Sequence, residues 1–362
     1  MPSSSHMVMA DLFQQSAEMP FADVHFCRDP DSQLQAIISI YSTALGPALG
    51  GCRLLRYAST QHALSDALNL SRAMAYKAAI NQLPFGGGKA VILAPQRIRS
   101  RSNLLTAFGE FVESLGGRYI TAVDSGTSSS DMDLIAIRTR HVFCTTQQSK
   151  GTGDPSPFTA RGVLRGIEAA VKHQLKRDIL AGLHVVIQGV GHVGYELARL
   201  LSKRGVRLTV SDINPDASKR CRDEFSAQVV KPGDEYSVQC DVFSPCALGQ
   251  TLNDDSIARL NTTIIAGAAN NQLASKDCGL QLTSRGILYA PDYVINSGGI
   301  LQIGYLQNRL LIKQKIDQLY DRLMRIFCLA EQQQKTTSDI ADHIAESILN
   351  NHRGEQKLSV VR

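Results

Sequence analysis

No apolar run in this chain approaches the roughly 20 residues needed to cross a bilayer, and no signal peptide is apparent, so we expect a cytoplasmic protein with no membrane partner. Its eight cysteines, scattered from Cys27 to Cys328, include no Cys-x-x-Cys pair and join no His/Cys cluster at metal-ligand spacing. A disulfide framework and a thiolate metal site are thereby excluded, leaving reduced, mostly packed thiols. Charge of one sign is scarce as well. A formal excess of +5 over 362 residues, with Lys, Arg, Asp and Glu interleaved throughout, argues against a nucleic-acid partner. Internal repeats and low-complexity tracts are missing, and residues 1–7 read as a leader outside the fold.

What is present is an ordinary globular composition, 43% hydrophobic and 20% charged, on a chain too long for one hydrophobic core, which predicts two domains. The stretch from Met74 to Lys89 stands out. There, Lys77 and Lys89 stand in an otherwise apolar segment, and Gly86, Gly87 and Gly88 directly precede the second lysine. A lysine becomes a base when burial or a neighbouring positive charge destabilises its ammonium form, and two lysines around one small site supply both. The glycines permit the backbone to bend or to approach a ligand. Solvated lysines beside a flexible turn would give the same letters.

Around this stretch the pattern alternates. Apolar runs from Ala36 to Tyr41 and from Ala48 to Leu55, joined by Gly46-Pro47, predict neighbouring strands with a turn between them. Apolar positions from Ala63 to Met74 recur at helical spacing, so Lys77 falls near a helix end, and Lys89 opens a strand through Leu93. A helix over 102–115 and a strand over 119–123 lead into Asp124-Ser125-Gly126-Thr127. An acid at the carboxyl end of a strand, followed by a glycine turn, is a functional position in α/β folds, although a helix cap reads the same. Loop-like residues 151–157 predict the crossing into a second domain, and a helix over 158–172 follows.

Residues 184–212 carry the sharpest motif: a strand over 184–188, the glycine pattern Gly189-Val190-Gly191-His192-Val193-Gly194, a helix over 195–204, a strand over 206–211 and Asp212 at its end. Glycines there permit a tight turn and close approach of backbone to a pyrophosphate at the helix N-terminus. Asp212 is placed for the adenosine ribose hydroxyls, with Ile213 beside it, and its charge would repel a 2′-phosphate, so NAD is expected over NADP. Strand-like runs over 240–245 and 263–267 continue the sheet, and the residues after them, Cys246-Ala247 and Ala269-Asn270, should lie beside the cofactor. Residues 287–290 predict a last strand, 291–299 a glycine-ended turn, and 310–352 two helices split by polar residues 332–338.

Taken in order, the segments Gly46 to Gly51, Met74 to Lys89, Asp124 to Thr127, Gly153 to Thr159, Gly189 to Gly194, Ser244 to Gly249, Ala269 to Asn271 and Ala290 to Gly299 resemble the amino-acid dehydrogenases of the glutamate/leucine/phenylalanine/valine group, most closely its leucine-specific members. The resemblance covers about residues 24–350 and implies a two-domain α/β fold. Residues 8–142 with 325–362 would form an N-terminal α/β substrate-binding and oligomerisation domain completed by C-terminal helices. Residues 143–324 would form a doubly wound Rossmann NAD-binding domain, with closure of the cleft between the two. The implied reaction is reversible oxidative deamination of an L-amino acid to a 2-oxo acid and ammonia by NAD, in a homo-oligomer. Carried over, Lys89 and Asp124 would be catalytic and Lys77 would bind the substrate carboxylate. Leu49, Gly50, Ala122, Val294 and Ser297 would line the substrate site, and Asn270 would touch both substrate and nicotinamide ribose. Thr159, Gly189, Val190, Gly191, His192, Val193, Gly194, Asp212, Ile213, Cys246, Ala247 and Ala269 would contact the cofactor. Leu49 and Val294 suit a branched aliphatic side chain, that of leucine, valine or isoleucine. Phenylalanine or tryptophan dehydrogenase with the same chemistry, and a non-catalytic NAD-binding homologue, are the alternatives. The chain departs from the family pattern at Val123, where an acid is usual, at Ser125, where valine is usual, and after Gly299, where an acidic stretch is absent.

Overall fold

The computed structural model describes residues 23–147, 154–247, 249–305 and 308–360, with side chains to residue 352. The leader 1–7, and residues 151–153 of the expected crossing, lie outside the described residues. The chain forms two compact units, residues 1–151 with 346–362, and residues 152–345.

The first unit contains β1 (Asp23–Asp29), β2 (Leu34–Ser42), β3 (Ala48–Leu55), α1 (Thr60–Ile80), β4 (Gly86–Leu93), α2 (Arg101–Ser114), β5 (Tyr119–Val123) and α3 (Ser129–Ala136). The strands order as β1-β2-β4-β3-β5, antiparallel from β1 to β4 and parallel from β4 to β5. β2 and β3 are therefore not the neighbours the Gly46-Pro47 turn suggested. A parallel pair needs a long crossover, and α1 supplies it, delivering β4 between them. Nor is the triple glycine a turn. Gly86, Gly87 and Gly88 lie buried inside β4, because α1 and Tyr119 press against it. A Cβ on Gly87 would overlap the backbone of Ala75, and one on Gly88 would come 2.8 Å from the Tyr119 ring.

Alternation along the strands sorts the two faces of this sheet. Ile37 of β2 and Val91 of β4 pack with Ala63, Leu64, Ala67 and Leu68 of α1, whereas Ile38, Ile40, Ala90 and Ile92 pack with Leu104 and Phe108 of α2. Lys89, two residues before Val91, thus belongs to the α1 face. α1 itself starts at Ser59, whose hydroxyl accepts the His62 N–H.

The second unit runs α4 (Ser156–Leu175), β6 (His184–Gln188), α5 (His192–Ser202), β7 (Arg207–Ser211), α6 (Pro215–Phe225), β8 (Gln228–Val229), β9 (Val242–Pro245), α7 (Asp254–Arg259), β10 (Ile264–Ile265), α8 (Lys276–Ser284), β11 (Leu288–Tyr289), α9 (Asp292–Ile295), α10 (Gly298–Gly304), α11 (Arg309–Asp317), α12 (Leu319–Gln333) and the start of α13 (Thr337–Val360), which passes into the first unit at residue 346. Its strands order as β11-β10-β9-β6-β7-β8, all parallel, with the direction of winding reversing at β6. This is the doubly wound arrangement, and its switch point lies at the carboxyl ends of β6 and β9. Residues 291–299, read as a turn, instead form α9 and the start of α10. Three helices rather than two follow, because the chain breaks again at Gln318. α12 packs on α4, where Gly166 lets Ile295 and Leu323 approach closely, so this unit extends to residue 345 rather than the expected 324. Among the described residues no helix is long and apolar enough to cross a membrane.

Candidate active site

In the first unit, β4 brings Lys89 to a place where it is only 5% exposed, and its Nζ donates to Oδ2 of Asp124 in an ion pair. Asp124 follows the last residue of β5. Its Oδ1 accepts from the Ser125 N–H at 2.6 Å and faces Nε of Arg53 at 3.4 Å. Arg53, on β3, also sends Nη1 to both oxygens of Asp66 on α1, at 3.1 and 3.0 Å, and the Tyr57 hydroxyl donates to the same carboxylate at 2.6 Å. Burial is the largest single influence on the Asp124 carboxyl and pushes its pKa up. The charges of Lys89 and then Arg53 outweigh it and hold the group at about 2. Asp124 does not cap the next helix. Ser128 and Asp131 do so in a reciprocal capping box.

Lys77 sits half-buried in the last turn of α1, its carbonyl accepting from the Asn81 side chain at 2.7 Å. Leu49 and Ala122 are buried in β3 and β5. Gly50 gives its carbonyl to the Tyr119 hydroxyl at 2.6 Å, and a Cβ there would strike the Gly88 carbonyl. Val123 is 37% exposed, and Ser125 contributes through its backbone N–H, which any residue but proline supplies.

In the second unit, Gly189 has φ of +86°, and a Cβ on it would lie 2.7 Å from Ala247. Gly194 packs against the Gly189 carbonyl, whereas a Cβ on Gly191 would meet nothing within 4 Å. α5 follows its N-cap Gly191, where no side chain caps the first turn. Asp212, at the end of β7, accepts the Val190 N–H at 2.7 Å and the Asn214 N–H at 2.8 Å, tying the acid to the glycine loop. Val190 is buried, Val193 half-buried, and His192 and Ile213 exposed. Cys246 N–H donates to the Gln188 carbonyl at 2.7 Å, which sets Cys246 and Ala247 beside the loop. These are the features a dinucleotide pyrophosphate and adenosine ribose need.

Farther along the same sheet edge, Ala269 is buried and Asn270 exposed, while Asn296 donates Nδ2 to Oδ1 of Asn270 at 2.8 Å and to the Ala268 carbonyl at 3.1 Å. Thr159, in the first turn of α4, sends its hydroxyl to the Pro155 carbonyl at 3.2 Å, and a Cβ on Gly299 would lie 3.2 Å from that hydroxyl. Val294 and Ser297 are fully buried, with the Ser297 hydroxyl turned back to the carbonyls of Tyr293 and Val294.

Three polar partners escaped the sequence reading. Arg53 is a lone cation inside an apolar strand, Asp66 lies three helical turns before Lys77, and Asn296 is an asparagine only 6% exposed. The first two carried a usable signal, since a charge in a buried strand requires a counter-charge.

Residues 21–141 match the family described as Glu/Leu/Phe/Val dehydrogenase, dimerisation domain, and residues 216–346 match Glutamate/Leucine/Phenylalanine/Valine dehydrogenase. Leucine dehydrogenase of Geobacillus stearothermophilus is 44% identical over 346 residues, covering 95% of this chain and 94% of the relative. L-tryptophan dehydrogenase of Nostoc punctiforme is 42% identical over 355 residues, covering 96% and 99%. A crystal structure of L-tryptophan dehydrogenase from Nostoc punctiforme matches with a TM-score of 0.82 at 41% identity, over 94% of this chain and 99% of that one.

Proposed function

The chain belongs to the Glu/Leu/Phe/Val dehydrogenase family and is an amino-acid dehydrogenase, and we propose that it catalyses NAD-dependent, reversible oxidative deamination of branched-chain aliphatic L-amino acids. The observation that carries this reading is the buried pair of Lys89 and Asp124. Lys77 binds the substrate carboxylate. Lys89 takes the proton of the water that attacks the α-carbon of the imine, and Asp124 handles the proton on the substrate nitrogen. The two groups are coupled. Lys89's charge is the strongest influence holding the Asp124 carboxyl down, and burial is the influence pushing it up. Without the positive charge of Lys89, the Asp124 carboxyl would bind a proton more readily.

NAD fits the second unit, where the open space at Gly191, the uncapped start of α5 and the carboxylate of Asp212 would hold it. Bound there, it supplies the acceptor for the hydride of the α-carbon. The negative charge of Asp212 favours NAD over NADP. The first matched region's description as a dimerisation domain supports a homo-oligomer, which we place in the cytoplasm.

Leu49 and Val294 suit leucine, valine or isoleucine. A tryptophan or phenylalanine substrate is the second reading, favoured by the small side chains of Ala122 and Ser297, the latter with its hydroxyl occupied by backbone. Initial rates of NADH formation with leucine, valine, phenylalanine and tryptophan test both. Because one methylene of a bound apolar side chain is worth about 1–3 kcal/mol, the aliphatic substrates should lie within about a hundredfold of one another. An aromatic substrate preferred by more than that would overturn the aliphatic reading. No turnover of any substrate, with NAD or NADP, would leave a non-catalytic dinucleotide-binding protein.

A further inference from the structure

Among the described residues Asp124 forms ion pairs with Lys89 and Arg53, and only the first of them has a place in the chemistry above. Arg53 lies on the α1 face of the sheet, as Lys89 does, but its stronger ties run the other way: both Asp66 oxygens lie within 3.1 Å of Nη1, against 3.4 Å from Nε to Asp124. Asp66 is itself fixed by the Tyr57 hydroxyl at 2.6 Å. The other charge near this loop, Asp131 of α3, is taken by Arg101 at 2.7 and 2.8 Å. Asp66 and Lys77 are eleven residues apart on α1, close to three turns of about 3.6 residues, so one stripe of that helix carries both the anchor of Arg53 and the carboxylate-binding lysine.

We propose that Arg53 is a positioning residue for the reaction. It occupies Oδ1 of Asp124, leaving Oδ2 as the oxygen that faces Lys89, and Asp66 fixes the guanidinium in turn. The inference rests on the assignment of Lys89 and Asp124 as the catalytic pair. A guanidinium can do this because its fork reaches two carboxylates at once from one rigid plane, and it stays charged at every working pH. The Ser125 N–H on the same oxygen reinforces the orientation.

Steady-state kinetics of the full chain with Arg53→Met, Arg53→Lys, Asp66→Asn and Asp124→Asn test this. Arg53→Met should lose about tenfold or more in kcat with KM for the amino acid and for NAD within about twofold, the signature of an interaction that matters after binding. Arg53→Lys should recover part of the loss, because the charge remains although an ammonium cannot bridge the two carboxylates. Asp66→Asn should fall between Arg53→Met and the parent. A parental kcat in Arg53→Met, or a loss confined to KM, overturns the proposal. If Arg53→Met does not fold, parental kcat in both Arg53→Lys and Asp66→Asn overturns it, and a loss in both supports it. Asp124→Asn separates the two levels. If that variant is inactive while the Arg53 variants are not, only the role of Arg53 fails; if it turns over like the parent, the catalytic assignment of Asp124 fails and this inference with it.

Discussion

Asp124 is the residue at which burial and charge oppose one another most directly. Burial pushes the carboxyl's pKa up, and the charges of Lys89 and Arg53 outweigh it and keep the group at about 2. Its folded value therefore lies below the unfolded one of about 3.9. The stabilisation it contributes is present above about pH 4 and is lost as pH falls through the folded value, so the affected window is about pH 4 down to 2. The difference between these two values corresponds to about 2–3 kcal/mol. Urea unfolding at a series of pH values from about 5 downward should show a steeper loss of stability in the parent than in Asp124→Asn, which cannot titrate. Parallel curves would mean that the pair does not hold the carboxyl down.

Glycines decide the packing of whole elements here, and they do so in opposite ways. Gly191 and Gly194 belong to one sequence motif and look equivalent in it, yet the structure separates them. A Cβ on Gly191 enters open space at an ordinary φ of −65°, so Gly191→Ala should leave stability within about 0.5 kcal/mol of the parent. With NAD bound as proposed, the same methyl stands in the way of the pyrophosphate, so NAD affinity should fall about tenfold or more, on the order of 1.4 kcal/mol. At Gly194 the methyl would overlap the Gly189 carbonyl. Alanine's helix preference of about 1 kcal/mol does not offset an overlap with fixed backbone, whose cost is typically about 1–3 kcal/mol or more. Gly194→Ala should therefore lose stability first. Thermal unfolding and NADH titration of both variants check the contrast, and equal behaviour of the two would contradict it. The motif was legible because strand, glycines, helix and acid are contiguous in sequence. The triple glycine was not, because the atoms that demand it, the Ala75 backbone and the Tyr119 ring, come from other elements. The pairing of β2 with β4 was hidden for the same reason, since a local turn signal carries no information about what a crossover will insert. Arg53 shows the intermediate case: its burial in β3 was readable, but its partner on α1 depended on which face of the sheet that helix covers.

Across the whole molecule, the two units differ in how the chain builds them. Residues 152–345 are continuous, while the first unit needs residues 346–362 to return to it. There, Glu346 accepts a hydrogen bond from the Tyr76 hydroxyl and lies 3.9 Å from Arg72. The second unit keeps its own closures: Thr337 donates to the Tyr289 carbonyl at 2.6 Å, and the Tyr293 hydroxyl to Asp342 at 2.8 Å. It also has a core of its own, with Val186, Phe243, Leu252, Ile257, Leu282 and Tyr289 packed together. A fragment of residues 154–345 should consequently fold alone and bind NADH, since the residues proposed to hold the cofactor, the glycine loop, Asp212, Ala247 and Asn270, all lie within it. The chain has no tryptophan, so NADH emission can be followed without energy transfer from indole. Saturation at about 100 times the dissociation constant should raise the fragment's unfolding free energy by about 2.7 kcal/mol. A fragment of residues 23–147, lacking the returning segment and Glu346, should unfold at lower urea than the same region does in the full chain. Were the 154–345 fragment folded but indifferent to NADH while the full chain binds it, the cofactor residues would have to be sought outside this unit, and the assignment of Asp212 would fall.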